Sequence, residues 1–201
     1  IPLTIIIIGV GFFGAIDDLL GSRESTGFKG HIGALLKGRL TTGALKAIGV
    51  PVIAILSSSL LSSNLLEIFG NAILIALFVN TLNLLDLKPG RALKFYIPLQ
   101  LFLIYAVGSD LGPSSAALMG IALILLGPDL KEEIMLGDTG SNILGGILGF
   151  CMAATFDWDV KLPVIALLAI LQALTEKYSI SAIIERTPIL EYLDNLGRRT
   201  D

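Results

Sequence analysis

Residues 5–21 read IIIIGVGFFGAIDDLLG, an apolar run that ends in a pair of aspartates. The glycines in this run, Gly9, Gly11 and Gly14, have the G-x-G-x-x-G spacing of a dinucleotide-binding turn. Such a turn also needs a second strand that ends in an acidic residue about 20 residues further along. Residues 27–39 read GFKGHIGALLKGR and contain neither a strand pattern nor an acid. We therefore interpret the glycines as a small-residue face at which one membrane helix approaches another.

The composition is typical of a membrane protein. Of the 201 residues, 54% are hydrophobic and only 15% are charged, whereas roughly a quarter of the residues of a soluble domain are charged. The net charge of −3 argues against a nucleic-acid partner, because phosphates attract a basic surface. The single cysteine, Cys151, cannot form an internal disulfide and is expected to pack as a small apolar residue.

Apolar segments separated by short charged loops recur along the whole chain, and a bilayer is crossed by roughly 17–25 helical residues. The pattern predicts an all-α fold, a polytopic transmembrane helix bundle of about seven spans. Residues 1–201 are expected to form a single integral-membrane domain. Because Ile1 already lies inside an apolar run, we expect a fragment of a longer protein. The predicted spans are 1–16, 45–61, 68–85, 95–108, 115–126, 140–156 and 162–175.

The lysines and arginines lie almost entirely on one side of these spans. Of the 14, only Lys161 falls on the other side, once Lys46 at the edge of its helix is counted with the loop before it. Trp158, also on the far side, suits the aromatic belt of a membrane interface. Because cytoplasmic loops carry the excess of basic residues, the following loops are predicted to be cytoplasmic: 17–44, 86–94, 127–139 and 176–201.

Polar residues cluster at three span ends on this predicted cytoplasmic side. Asp17 and Asp18 close the first span, and Asn80, Asn83 and Asp86 follow one another at steps of three near the end of the third. Steps of three drift slowly around a helix, so these side chains can share one face. The third cluster begins the sixth span, where free backbone N–H groups suit a phosphate. Its members are Gly137, Asp138, Thr139, Gly140, Ser141 and Asn142.

Together the three clusters predict a divalent-cation site for diphosphate chemistry. Carboxylate oxygens with open positions suit Mg²⁺ that is bound jointly by one or two acids and a substrate diphosphate. The loop between the first two spans carries basic residues that could meet phosphate charge. These are Arg23, Lys29, Lys37 and Arg39.

Each cluster, taken alone, also has an ordinary structural explanation. The aspartate pair could cap an interfacial helix, and Asp138 with Thr139 could form an N-cap. The two asparagines could hydrogen-bond between helices. Lys37 and Arg39 are explained equally well by membrane sidedness, and we interpret His31 as a solvated residue.

Four motifs, in chain order, resemble those of a known family. GAIDD, FKGH, NTLNLLD and GDTGSNILGG are similar to the motifs of the polyprenyl-phosphate sugar-1-phosphate transferases of bacterial envelopes (glycosyltransferase family 4-like). That family includes the phospho-N-acetylmuramoyl-pentapeptide transferase and the polyprenyl-phosphate N-acetylglucosamine-1-phosphate transferases. The resemblance implies that a polyprenyl phosphate attacks the β-phosphate of a UDP-sugar, with UDP-N-acetylhexosamine expected, and releases UMP. It also implies a multi-pass protein of the bacterial inner membrane, active in cell-envelope polysaccharide synthesis.

The resemblance implies a role for each matching residue. Asp17 and Asp18 match the acidic pair and are the expected catalytic residues; Asp18 also contributes to metal binding. Asp138 matches the acid that binds the Mg²⁺ cofactor, for which Mn²⁺ is an alternative. The expected partners are a UDP-sugar, a polyprenyl phosphate and membrane lipid, without nucleic acid, and a homodimer is left open. The expected substrate-binding residues are Lys29, Asn80, Asn83, Asp86, Ser141 and Asn142.

The chain also departs from the family pattern. After Asp86 it reads LKPGRA, where the pentapeptide-transferring enzyme has a second acid, and its last segment lacks that enzyme's histidine cluster. The family has further spans before the aspartate pair and one after the last loop, so we expect this fragment to lack both. Residues 177–201 are predicted to be a cytoplasmic amphipathic tail lying in the interface plane, interrupted by Pro188. Its apolar positions include Ile180, Ile183, Ile184, Leu190 and Leu193.

Two other functions are compatible with the same sequence. A non-catalytic member of the family would bind lipid or a partner, and the missing acid and histidines would then mark lost chemistry. A membrane transporter would line a pathway with intramembrane polar residues. The transporter predicts acids near mid-membrane and internal duplication, whereas the acids here lie at span ends on one side.

Overall fold

The structure is a computed structural model that describes residues 1–21, 41–107 and 112–198. Five residues discussed above lie outside the described residues. They are Arg23, Lys29, His31, Lys37 and Arg39.

The described residues are helical and contain no strand, which confirms the all-α prediction. Within the described residues, seven helices of 17–21 residues coincide with the seven predicted apolar segments, and two short helices follow them. The long helices are α1 (Pro2–Leu20), α2 (Thr42–Ser58), α3 (Leu65–Leu85), α4 (Arg91–Val107), α5 (Gly112–Leu130), α6 (Gly137–Thr155) and α7 (Trp158–Thr175). The short ones are α8 (Ile180–Glu185) and α9 (Pro188–Asn195).

Three helices in the described part of the chain, α1, α3 and α7, are long and apolar enough to cross a membrane, which indicates a membrane protein. That is fewer than the seven spans predicted. The reason is partly length, since the 17 residues of α2 or α4 extend about 26 Å, less than the hydrocarbon core of about 30 Å. The sequence of α6 also opens with polar residues, which lowers its mean hydropathy.

Helix α6 lies at the centre of the bundle and packs closely on α3, because glycines line the contact. A methyl group at Gly145 would lie 2.6 Å from the Phe78 carbonyl oxygen, and one at Gly149 would lie 2.6 Å from the Ile75 Cα. Nearly every residue of α6 from Ser141 to Ala153 is buried. The central position of this helix therefore depends on the absence of side chains at the contact.

The glycines of α1 form the second close contact, and the small-residue interpretation of the opening stretch is confirmed. A methyl group at Gly14 would lie 2.5 Å from the carbonyl oxygen of Asp138, and one at Gly9 would lie 2.6 Å from the Ile53 side chain. The backbone of α1 can thus reach the first turn of α6. This approach places the aspartates that end α1 beside Asp138.

Contacts at the two ends show that the helices alternate in direction. At one end, called the site end below, α1, α3 and α5 finish while α2, α4 and α6 begin. At the opposite end, the Ser57 hydroxyl donates to the Pro2 carbonyl oxygen at 3.0 Å. There the Lys161 ammonium also donates to the Asn71 amide oxygen at 3.0 Å. The alternation brings the acidic residues of distant segments to the site end.

Candidate functional site

A lysine at the site end joins three helices. The ammonium group of Lys46, on the second turn of α2, hydrogen-bonds a carboxylate oxygen of Asp138 on α6 and lies 3.6 Å from one of Asp17 on α1. The Lys46 side chain is 13% exposed, against 22% and 27% for its two partners. The three charged groups therefore form a partly buried cluster that solvent can still reach.

The amide of Asn83 completes this cluster from α3. In the orientation that satisfies its neighbours, its oxygen accepts from the Lys46 ammonium at 3.1 Å. Its nitrogen then donates to Asp138 Oδ1 at 2.7 Å and to the Ser141 hydroxyl oxygen at 3.2 Å. Asn83 thus fixes the Asp138 carboxylate and the lysine at the same time. We call Asp17, Lys46, Asn83 and Asp138 the acid–lysine cluster.

Asp18 caps the N-terminus of α6 instead of facing the acid–lysine cluster. Its carboxylate accepts from the backbone N–H of Asp138 at 2.8 Å, and from the N–H and hydroxyl of Thr139 at 2.9 and 2.6 Å. The residue before α6, Leu136, makes no side-chain cap, so Asp18 supplies one from another helix. The N–H groups that we expected to be free for a phosphate are therefore already used. From the sequence, a capping role was one explanation for the aspartate pair, but a cap on a helix 120 residues further along was not predicted.

Asp86, just beyond the C-terminus of α3, faces other acids. Burial raises the pKa of Asp86 to about 7, and the nearby charges of Asp129, Asp138 and Asp18 act in the same direction, while the Gly137 backbone N–H acts against them. Repulsion among carboxylates of this kind is relieved when a cation binds among them. Asp86 therefore extends the acidic character of the site end beyond the acid–lysine cluster.

The remaining predicted residues have different outcomes. Asn80 is exposed, and its side chain makes no hydrogen bond within the described part of the chain, so Asn80 is not brought to the cluster. Ser141 is fully buried and contacts Asn83. Asn142 is fully buried too, and among the described residues both polar atoms of its amide lack a partner.

The cluster can be compared with what Mg²⁺ requires. Within residues 1–21, 41–107 and 112–198, no group of three or more acidic, histidine or cysteine side chains is arranged as a complete metal site. Mg²⁺ commonly takes only one or two protein carboxylates, with substrate phosphates and water supplying the other ligands. The adjacent carboxylates of Asp17 and Asp138, which already attract the Lys46 ammonium, fit that partial set. The oxygens of Asp18 fit less well because the α6 cap uses them.

Lys46 is the residue that sequence reasoning missed. In the sequence it served only as one of the basic residues that define sidedness. The sequence did contain a signal for its role, because Lys46 lies at the start of a predicted apolar span. A lysine that is buried at such a position needs an acidic partner. The partner could not be chosen from the sequence because Lys46 lies 92 residues from Asp138.

No family model, curated protein or solved structure matches this chain. The family resemblance therefore depends on the four sequence motifs alone.

Proposed function

We propose that this protein transfers a sugar-1-phosphate from a UDP-sugar, UDP-N-acetylhexosamine in the first instance, to a polyprenyl phosphate. A phosphate oxygen of the lipid attacks the β-phosphorus of the UDP-sugar. The bond from that phosphorus to the bridging oxygen breaks, and UMP leaves with the bridging oxygen. The observation that supports this most directly is the acid–lysine cluster at the end of an apolar bundle.

The residues of the cluster suit the demands of phosphoryl transfer, which are positioning and charge neutralisation. Lys46 would neutralise phosphate oxygens. Asn83 would hold the side chains of Lys46 and Asp138 in place by hydrogen bonds to both. Asp17, whose carboxylate shares the Lys46 ammonium with that of Asp138, would orient the lipid phosphate. Asp17 and Asp138 would hold Mg²⁺, which when bound withdraws charge from the diphosphate and makes UMP a better leaving group.

An apolar cleft offers a place for a segment of the isoprenoid chain of the lipid substrate. It lies between α2, α3 and α7, has a volume of about 240 Å³, and is lined by residues that include Pro51, Ile55, Phe69, Leu77 and Gln172. Leu77 precedes Asn83 by six residues, which is about 9 Å along a helix. A lipid lying in the cleft could therefore present its phosphate towards the site end.

The proposal includes a topology. We propose that the seven long helices all cross the bacterial inner membrane and that the site end faces the cytoplasm. A soluble nucleotide sugar and a lipid phosphate could both reach a cluster at that surface. The basic residues of the predicted cytoplasmic loops support this orientation.

Two alternatives make different predictions. A transporter would need polar groups along a path through the membrane, but the acidic residues of the cluster lie at helix ends. A non-catalytic relative would keep the cluster and bind lipid phosphate without turnover. Only an activity measurement separates this second alternative from the enzyme.

The test is the transfer reaction carried out by the full-length protein in lipid vesicles. Radiolabelled UDP-N-acetylhexosamines, undecaprenyl phosphate and Mg²⁺ are supplied, and both labelled lipid product and UMP are measured. We expect product and UMP in equal amounts, with both abolished by a chelator. If no UDP-sugar yields lipid product while a related transferase does so in the same vesicles, the proposed function is wrong.

A further inference from the structure

The last helix, α9, carries its apolar residues on the outside. Ile189, Tyr192 and Leu193 within α9, and Leu196 directly after its last residue, are 73%, 68%, 50% and 52% exposed. Their spacing of i, i+3, i+4 and i+7 places them on one side of the helix. Asp194 is the one buried residue of α9. A short helix in water would turn its apolar face to the protein, so this helix has the opposite orientation.

The polar face of α9 is held by charged hydrogen bonds. The Arg91 guanidinium, which is buried, donates to both carboxylate oxygens of Asp194 at 2.7 and 2.9 Å. Arg198 donates to the same carboxylate at 2.9 Å, and the Lys94 ammonium donates to the Asp194 carbonyl oxygen at 2.6 Å. Paired geometry of this kind is strong and orients both partners. Helix α9 is therefore fixed in direction by ion pairs and not by apolar packing.

Two further contacts set the height of α8 and α9 relative to the long helices. Arg198 donates to the Pro89 carbonyl oxygen at 2.9 Å, and Lys88 pairs with Glu185 on α8 at 2.6 Å. Both contacts fall on the turn between Asp86 and Arg91, where the membrane-length helix α3 has just ended. Helix α9 consequently lies at the level at which α3 leaves the apolar layer.

Other exposed apolar side chains lie at this same end. Leu87 in the turn after α3, Met135 before α6 and Leu20 at the end of α1 are 62%, 77% and 71% exposed. Apolar side chains at the height of a membrane surface, with lysines among them, match the boundary between headgroups and acyl chains. A lipid surface can thus cover the apolar face of α9, and no complementary protein is required.

We propose that α9 is an interfacial anchor, with Ile189, Tyr192, Leu193 and Leu196 inserted into the membrane surface and Asp194 tied to the bundle through Arg91. The anchor holds the turn that follows Asp86 at a set depth. The proposal thereby names the residues of the predicted interfacial tail that enter the membrane. It also names the ion pair that connects the tail to the site end. This inference does not depend on the proposed reaction, because it concerns the depth of a helix in the bilayer.

The test compares two neighbouring positions of α9, one on its apolar face and the other about 100° away around the helix axis. In the full-length protein carrying Cys151→Ser, Tyr192→Cys and Glu191→Cys are each labelled with a nitroxide and reconstituted in phosphatidylethanolamine–phosphatidylglycerol vesicles. Collision with oxygen, which partitions into lipid, is compared with collision with a water-soluble nickel chelate. We expect the oxygen-to-nickel ratio to be several-fold higher at position 192 than at position 191. Equal, water-like ratios at both positions would overturn the proposal, and so would shielding of position 192 from both reagents, which would point to a covering protein.

A second variant tests the ionic tie. Asp194→Asn leaves Arg91 buried without its carboxylate partner, and we expect the label at position 192 to become more mobile and to lose most of its lipid-like ratio. Glu191→Gln, at an exposed position outside the apolar face of the same helix, is the matched control and should leave both measurements unchanged. If the label at position 192 has the same depth and mobility in the Asp194→Asn variant as in the protein with Asp194, the ion pair does not position the anchor.

Discussion

At the scale of single residues, the ammonium group of Lys46 decides the character of the site. It lies against carboxylates from α1 and α6 and, through Asn83, is connected to α3. Two adjacent carboxylates repel each other, so a cation between them stabilises the approach of three helix ends. The same oxygens could bind a divalent metal, and the same ammonium group could bind a phosphate.

Replacing Lys46 by methionine keeps the length of the side chain and removes its charge. If Lys46 neutralises phosphate oxygens during transfer, the rate should fall by about 100-fold or more, the usual effect of losing one stabilising group of this kind. The measurement is lipid-product formation in vesicles at saturating substrate. Lys131→Met, at an exposed lysine beyond α5, is the control, and equal rates in the two variants would remove Lys46 from the mechanism.

Asp86 gives a prediction about stability and pH. Its pKa of about 7 in the folded protein is well above the value of about 4 expected in the unfolded chain. The folded state therefore binds this proton more tightly, and stability is lost as the pH rises from about 4 to 7. Asp86→Asn cannot ionise, so it should raise the unfolding temperature, and should do so more at pH 8 than at pH 5. Thermal unfolding in detergent measures this, and an effect that is the same at both pH values would contradict the assignment.

At the scale of helices, the close approach of α1 to α6 depends on Gly14. The neighbouring atoms are backbone atoms of Asp138 and Thr139, which cannot move aside as a flexible side chain could. The contact also sets the distance between the aspartates of α1 and the start of α6. Packing in this region and the geometry of the acid–lysine cluster are therefore linked.

Gly14→Ala should accordingly destabilise the protein by about 1–3 kcal/mol, as overpacking of a tight contact usually does. Gly120→Ala, within α5, is the matched control, because no other described residue lies within 4 Å of the added methyl group. Alanine favours a helix over glycine, so the control should be neutral or slightly stabilising. Both variants are compared by unfolding in denaturant. Similar free energies of unfolding for the two would show that the α1–α6 contact is looser than described.

At the scale of the whole molecule, the alternation of helix direction separates two polar surfaces. The acid–lysine cluster and helix α9 lie at the site end. The opposite end has the pair of Lys161 and Asn71, with Trp158 5.6 Å from the lysine ammonium. If the long helices cross a membrane, these two ends face different compartments.

The proposed topology can be tested with single cysteines in the Cys151→Ser background. Glu133→Cys, at the site end, should react with a membrane-impermeant maleimide only after cells are permeabilised. Ser63→Cys, in the turn between α2 and α3, should react in intact cells. The reverse pattern would invert the orientation, and reaction of both in intact cells would argue against a bundle that crosses the membrane.

Much of the fold follows from local features of the sequence. Apolar runs of nearly membrane-spanning length mark all seven long helices described. Polar clusters mark the helix ends at which Asp17, Asp86 and Asp138 lie. These features depend on residues close together in the chain, since apolar length and helix ends are local properties. The small-residue role of Gly14 could be predicted for the same reason, although its partner in α6 could not.

The tertiary structure alone decided which side chains meet. Asn80 and Asn83 are separated by three residues, a rotation of about 60° short of a full turn, and only Asn83 faces the cluster. Asp17 and Asp18 are neighbours, yet one contacts Lys46 and the other caps α6. The sequence by itself determined the helices, their apolar character and the acidic end of the bundle. The partners of each polar group were decided by packing between residues far apart in the chain, which local periodicity does not encode.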